Sequence, residues 1–103
     1  MTWHPVAKTE DVRAGEVLAS DVGAESIALY RIDGQVYATS NVCTHAFALL
    51  SDGYLDGDCI ECPIHQALFH VPTGEVRAPP AIDPLKTYPT KIEGDTVFVD
   101  VPD

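Results

Sequence analysis

The sequence predicts an all-β single domain built from antiparallel hairpins, with one irregular insertion. Three observations carry this. Short runs rich in β-branched and aromatic residues recur between Gly- and Asp-containing turns. Eight prolines and seven glycines are spread along the chain, so no long helix can form and a single turn near Lys8 to Val12 is all that is expected. The length of 103 residues with 46% apolar composition supports one modest core and leaves no room for separate substrate and cofactor domains.

In chain order, Glu16 to Ala19, Ser26 to Ile32 and Gln35 to Thr39 read as strands, the last two joined by Asp33-Gly34, a strong two-residue hairpin signal. Lys86 to Ile92 and Thr96 to Val101, joined through Glu93-Gly94-Asp95, predict a second hairpin. Trp3, Tyr30, Tyr37 and Phe98 are expected to anchor the core, and Gly53, Gly57 and Gly74 to supply turn conformations. Between the two hairpins, residues 41–82 hold all three cysteines and three of the four histidines. Irregular loops hold ligands well only when strands anchor both ends, so this segment is read as a functional subdomain carried within a domain spanning 1–103.

Charge and targeting narrow the function. Six Lys+Arg against sixteen Asp+Glu leave a net charge of -10, the wrong sign for binding nucleic acid phosphates or an anionic membrane. No apolar run approaches a spanning helix, and the opening residues lack a secretory pattern. A cytoplasmic protein is therefore expected. In that compartment Cys beside His points to metal or redox chemistry before disulfides.

The informative pattern is Cys43-Thr44-His45 followed by Cys62-Pro63-Ile64-His65. Each short segment offers one thiolate and one imidazole, so four ligands can converge from two loops. Structural zinc is the mononuclear alternative, but zinc modules usually group Cys with Cys and His with His. A [2Fe-2S] cluster accounts for the mixture, because one iron can take both cysteines and the other both histidines. Cys59, in the apolar stretch before Cys62, is read as a buried structural thiol, and His4 and His70 as solvated surface histidines.

At these residues the sequence closely resembles the Rieske family. Leu50-Ser51-Asp52-Gly53, Leu55-Asp56-Gly57-Asp58, Ile60-Glu61-Cys62-Pro63, Phe69, Thr73-Gly74 and Pro79-Pro80 are similar to the ferredoxin components of bacterial aromatic-ring hydroxylating dioxygenase systems. The resemblance covers almost the whole chain. It implies a small antiparallel β-sandwich base, a cluster-binding subdomain with metal ligands Cys43, His45, Cys62 and His65, and a proline-containing loop over the cluster at Pro79 and Pro80. The chain departs from the family at Ala46 and Gln66, where Gly is common, and at His70, where an acidic or amide residue is usual.

The role this implies is one-electron transport, since the sequence has no Gly-rich dinucleotide fingerprint and no further metal constellation. Electrons would come from a flavin-dependent, NAD(P)H-oxidising ferredoxin reductase and go to a terminal Rieske non-haem iron oxygenase. The carrier is expected to be a monomer that catalyses nothing itself. Partners are expected to dock on a small patch made by Ala46, Phe47, Gln66, Ala67, Pro79 and Pro80 around the two histidines. The rival implied by the same resemblance is the small Rieske subunit of an NADH-dependent nitrite reductase. High-potential respiratory Rieske proteins add a disulfide and a serine at positions held here by Ala48, Ile64 and Ala67, so a low potential is expected.

Overall fold

A computed structural model describes residues 2–44, 48–64, 66–79, 81 and 83–102. Among the described residues, eleven strands pair antiparallel in three sheets. Strand β1 (Trp3–Lys8) leads into a 3-10 turn at Thr9–Asp11, the single turn expected there. Next come β2 (Val17–Val22), β3 (Glu25–Ile32) and β4 (Gln35–Ser40), which pair in sequence order. Asp33 and Gly34 both take positive φ, 52° and 80°, the tight hairpin turn that the dipeptide predicts.

The second predicted hairpin is different. The stretch from Lys86 to Ile92 is two strands, β9 (Thr87–Tyr88) and β10 (Thr90–Glu93), divided at Pro89. Strand β9 closes the β2-β3-β4 sheet against β4, whereas β10 pairs with β11 (Thr96–Asp100) in a sheet ordered β1-β11-β10. Pro89 has no N–H for a ladder, so the strand ends there and its continuation changes sheets. The Thr90 hydroxyl donates to the Val36 carbonyl at 2.8 Å and ties the new strand back to β4.

Strand β3 is buried on both faces. Ile27 and Leu29 join Val36, Ala38, Tyr88, Val97 and Val99 in a core between the two sheets of the base. Ala28, Tyr30 and Ile32 point the other way, into a second core. Period-2 alternation with apolar residues in both sets explains the unbroken run from Ile27 to Tyr30.

The second core is completed by the third sheet: β5 (Tyr54–Asp56), β6 (Cys59–Glu61), β7 (Leu68–His70) and β8 (Val76–Ala78). Leu50, Ile60 and Phe69 are fully buried there, each contributing on the order of 1.5–3 kcal/mol relative to exposure. This sheet and its loops thus pack on the face of β3 opposite the sandwich.

Three expectations are corrected. Trp3 and Phe98 are half-buried and belong to neither core; Lys91 lies over both rings, at 4.6 and 5.7 Å from their centroids. Tyr37 is half-buried but packs against the second core as expected, and Tyr30 is a full core residue. Gly53 is extended and serves close approach instead of a turn: a Cβ there would collide with the Glu61 carbonyl oxygen.

Candidate metal centre

Two loops of matched construction project from the second core. In the first, Val42 faces Leu49 in an isolated antiparallel bridge, and Cys43 N–H donates to the Ala48 carbonyl at 2.9 Å. In the second, Glu61 faces Leu68, and Cys62 N–H donates to the Ala67 carbonyl at 2.8 Å. Each loop therefore begins at a Cys and closes on an Ala, with both alanines buried. A methyl group is what fits between the arm and the core at these points.

The two cysteines meet. Cys43 and Cys62 are 3% and 0% exposed, share one core with Ala81, and have their thiols in hydrogen-bonding contact. Burial pushes the Cys62 thiol up to about 11; the Ile64 N–H on its sulfur opposes this, and the neighbouring Cys43 thiol adds to it. None of the three cysteines is in a disulfide. Two buried thiols in contact, one already receiving a backbone N–H, are a donor set made for a metal cation that displaces their protons. They suit one iron of a [2Fe-2S] cluster, since sulfur ligands this close can share a single metal.

The other two expected ligands, His45 and His65, lie outside the described residues, as do Ala46, Phe47 and Pro80. Of the remaining expected docking positions, Gln66 and Pro79 are exposed. Ala67 is not a surface residue: it is fully buried, and its carbonyl is taken by Cys62, so it cannot touch a partner. The loop beyond Pro79 is tied to the first arm by Thr44, whose hydroxyl donates to the Asp83 carbonyl at 2.8 Å.

His70 is also corrected. It sits on β7 with a 17% exposed side chain, its Nε2 donating to Asp58 Oδ2 at 2.9 Å and its Nδ1 meeting the Thr73 hydroxyl at 2.8 Å. Cys59, directly across from it, is half-buried, and its thiol approaches Asp58 Oδ1 at 3.6 Å. The sequence signal for this clasp was faint, because it depends on pairing between β6 and β7. Asn41, whose side-chain bonds are described below, gives no signal in the sequence either, because its partners Ser26 and Ser51 come from other parts of the chain.

The Rieske [2Fe-2S] domain family matches residues 2–89. The chain belongs to that family. It is 44% identical, over 96% of its own length and 95% of the relative's, to the ferredoxin component of the naphthalene 1,2-dioxygenase system of Pseudomonas putida. Among solved structures it is similar to the ferredoxin of Sphingomonas yanoikuyae B1, with TM-score 0.94, 40% identity, and 98% and 100% of the two chains covered. It is also similar to a chain in a complex of reduced oxygenase and oxidized ferredoxin from carbazole 1,9a-dioxygenase, with TM-score 0.88, 40% identity, and 94% and 91% covered. A nitrite reductase NADPH small-subunit protein shares the fold, with TM-score 0.81 at 21% identity and 98% and 100% covered. The Rieske assignment agrees with the paired thiols, and the group bound is a [2Fe-2S] cluster. This Rieske chain is an electron-transfer component and not itself a catalyst.

Proposed function

We propose that this Rieske ferredoxin carries single electrons from a flavin-dependent, NAD(P)H-oxidising reductase to a terminal Rieske non-haem iron oxygenase acting on aromatic compounds, and works as a monomer in the cytoplasm. The observation that carries this reading is the buried Cys43–Cys62 thiol pair between two matched loops, in a chain 44% identical over nearly its full length to a dioxygenase ferredoxin. The cluster supplies reversible one-electron chemistry when bound. In this reading Cys43 and Cys62 would hold one iron, and His45 and His65 would hold the other through one ring nitrogen each.

The chain's own residues do the rest. Apolar packing around the cysteines excludes water from the inner side, and Thr44 keeps the proline-containing loop against the first arm. Ala46, Phe47, Gln66, Pro79 and Pro80 form the contact patch in this proposal, with Ala67 removed from it. A patch of that size suits weak binding and rapid release. The net charge of -10 favours partners with a basic face and makes the encounter sensitive to salt.

The test is reconstitution. With NADH, a ferredoxin reductase and the oxygenase component of naphthalene dioxygenase, adding this protein should start naphthalene-dependent NADH oxidation. Phe47→Ser should slow turnover at limiting ferredoxin without changing the visible spectrum. A protein that takes electrons from the reductase but passes none to any aromatic-ring oxygenase, and copurifies with a nitrite reductase, would establish the rival role.

A further inference from the structure

The two arms are alike at their tips and different at their roots. Below the second tip, β6 and β7 continue as a ladder, with Ile60 opposite Phe69 and Cys59 opposite His70. Below the first tip, the chain after Leu49 turns away into a 3-10 turn at Leu50–Asp52, and β4 goes on to pair with β3 and β9. No ladder continues from the Val42–Leu49 bridge. The residue at the first root corresponding to Ile60 is Asn41, which is fully buried.

Every polar group of Asn41 is used. Its N–H donates to the Ser26 carbonyl at 2.9 Å, and its own carbonyl accepts from Leu50 N–H at 2.7 Å. Its side-chain Oδ1 accepts from Ser51 N–H at 2.8 Å, and Nδ2 donates to the hydroxyls of Ser26 and Ser51, each at 3.1 Å. The orientation of the amide follows from Ser51 N–H, which can only donate. One side chain thereby links β3, the root of the first arm and the 3-10 turn on its far side. Fully satisfied buried networks of this kind fix a single geometry, because every displaced group would lose its partner away from water.

We propose that Asn41 is the positioning residue of the first cluster arm, its side-chain amide doing for Cys43 what the β6–β7 ladder does for Cys62. The inference rests on reading Cys43 as a cluster ligand and extends that reading to what holds the ligand in place. An apolar residue at position 41 could fill the space but could not bond Ser51 N–H and the two hydroxyls, so the arm would sample several positions. Cys43 would then meet Cys62 and the metal only part of the time, and the cluster would be lost through the first arm.

The experiment compares the holoprotein with Asn41→Ala and with Tyr30→Phe. The second variant removes another buried hydrogen bond of the same core, Tyr30 to Thr39 at 2.8 Å, and leaves every side-chain bond of Asn41 in place. For each, three quantities are read: the rate of visible bleaching with an iron chelator, the electron paramagnetic resonance spectrum of the reduced cluster, and the melting temperature. Asn41→Ala should bleach about tenfold faster than the parent, the factor expected for one buried group left unpaired, and should show a broadened resonance. Tyr30→Phe should melt lower yet bleach at the parent rate with an unchanged resonance. Bleaching that simply follows melting temperature in both variants, or a parent-like Asn41→Ala, overturns the proposal. If Asn41→Ala does not fold, Ser51→Ala decides: it removes one acceptor and keeps the backbone bond, so faster bleaching supports the role and the parent rate overturns it. Cys43→Ser separates the two readings, since a full spectrum in that variant would remove Cys43 as a ligand whatever Asn41 does.

Discussion

His70 Nε2 and Asp58 Oδ2 lie 2.9 Å apart across the third sheet, joining the β5–β6 turn to β7 at the end away from the cluster loops. The same turn is bonded through its backbone, Val71 N–H to the Asp58 carbonyl at 2.8 Å. The His70 hydrogen bond holds the Asp58 carboxyl below its ordinary value of 3.8. A carboxylate depressed in the folded state contributes stability above the unfolded value and loses it as pH falls through the folded one. Asp58→Ala should therefore melt below the parent at pH 6 by a margin that persists at pH 4.5 and closes only below about 3.8. Melting curves across that range check it; a margin already gone at pH 4.5 would break the assignment. Because Asp58 is exposed, the margin should be small.

The three cysteines divide cleanly by position. Cys43→Ser or Cys62→Ser should abolish the visible spectrum, since a hydroxyl is far less acidic than the thiol it replaces and a poorer ligand for iron. Cys59→Ser should leave the spectrum intact, as that side chain contacts Asp58 and pairs across from His70. Iron and sulfide content per chain, with the absorption spectrum, gives the answer; a coloured Cys62→Ser protein would exclude Cys62.

Gly53 places the strand leading to β5 directly on the Glu61 carbonyl, one residue before Cys62. A Gly53→Ala methyl must push that backbone away, at a cost of about 1–3 kcal/mol. The expected results are a lower melting temperature and a shifted cluster spectrum, because the moved residue adjoins Cys62, a ligand in the proposed reading. Unchanged values on both counts would mean that the close approach relaxes freely.

The reduction potential tests the surroundings of the cluster. Two neutral imidazoles in place of two thiolates raise it above all-cysteine ferredoxins. Against this, Ala48 and Ala67 are buried methyl groups and Ile64 is a half-exposed alkyl side chain, so none of them can form an inter-loop disulfide or donate a hydroxyl bond to the cluster. Fewer donors leave the extra electron less stabilised. Voltammetry at pH 7 should find roughly -150 mV, the low end of the Rieske range. A value above about +100 mV would point to a quinol-linked role instead.

Features written within a few residues were legible from the chain alone. Asp33-Gly34 carries its own turn geometry, the run from Ser26 to Ile32 reads as a strand, and the Cys and His spacing declares two short arms of mixed ligands. These depend on local conformation and on donor chemistry, and neither needs a distant partner. Tertiary packing decided what local pattern leaves open. Thr87–Tyr88 and Thr90–Glu93 look like one strand until β4 and β11 each claim a part. His70 reads as a solvated turn residue until β6 brings Asp58 beside it, and Asn41 as an ordinary polar loop residue until Ser26 and Ser51 close around its amide. Ala67 reads as rim until its carbonyl takes the Cys62 N–H and its methyl is packed into the second core. A polar side chain's role is set by the donors and acceptors that reach it, and here those come from strands and turns far along the chain, which only the folded sheets bring together.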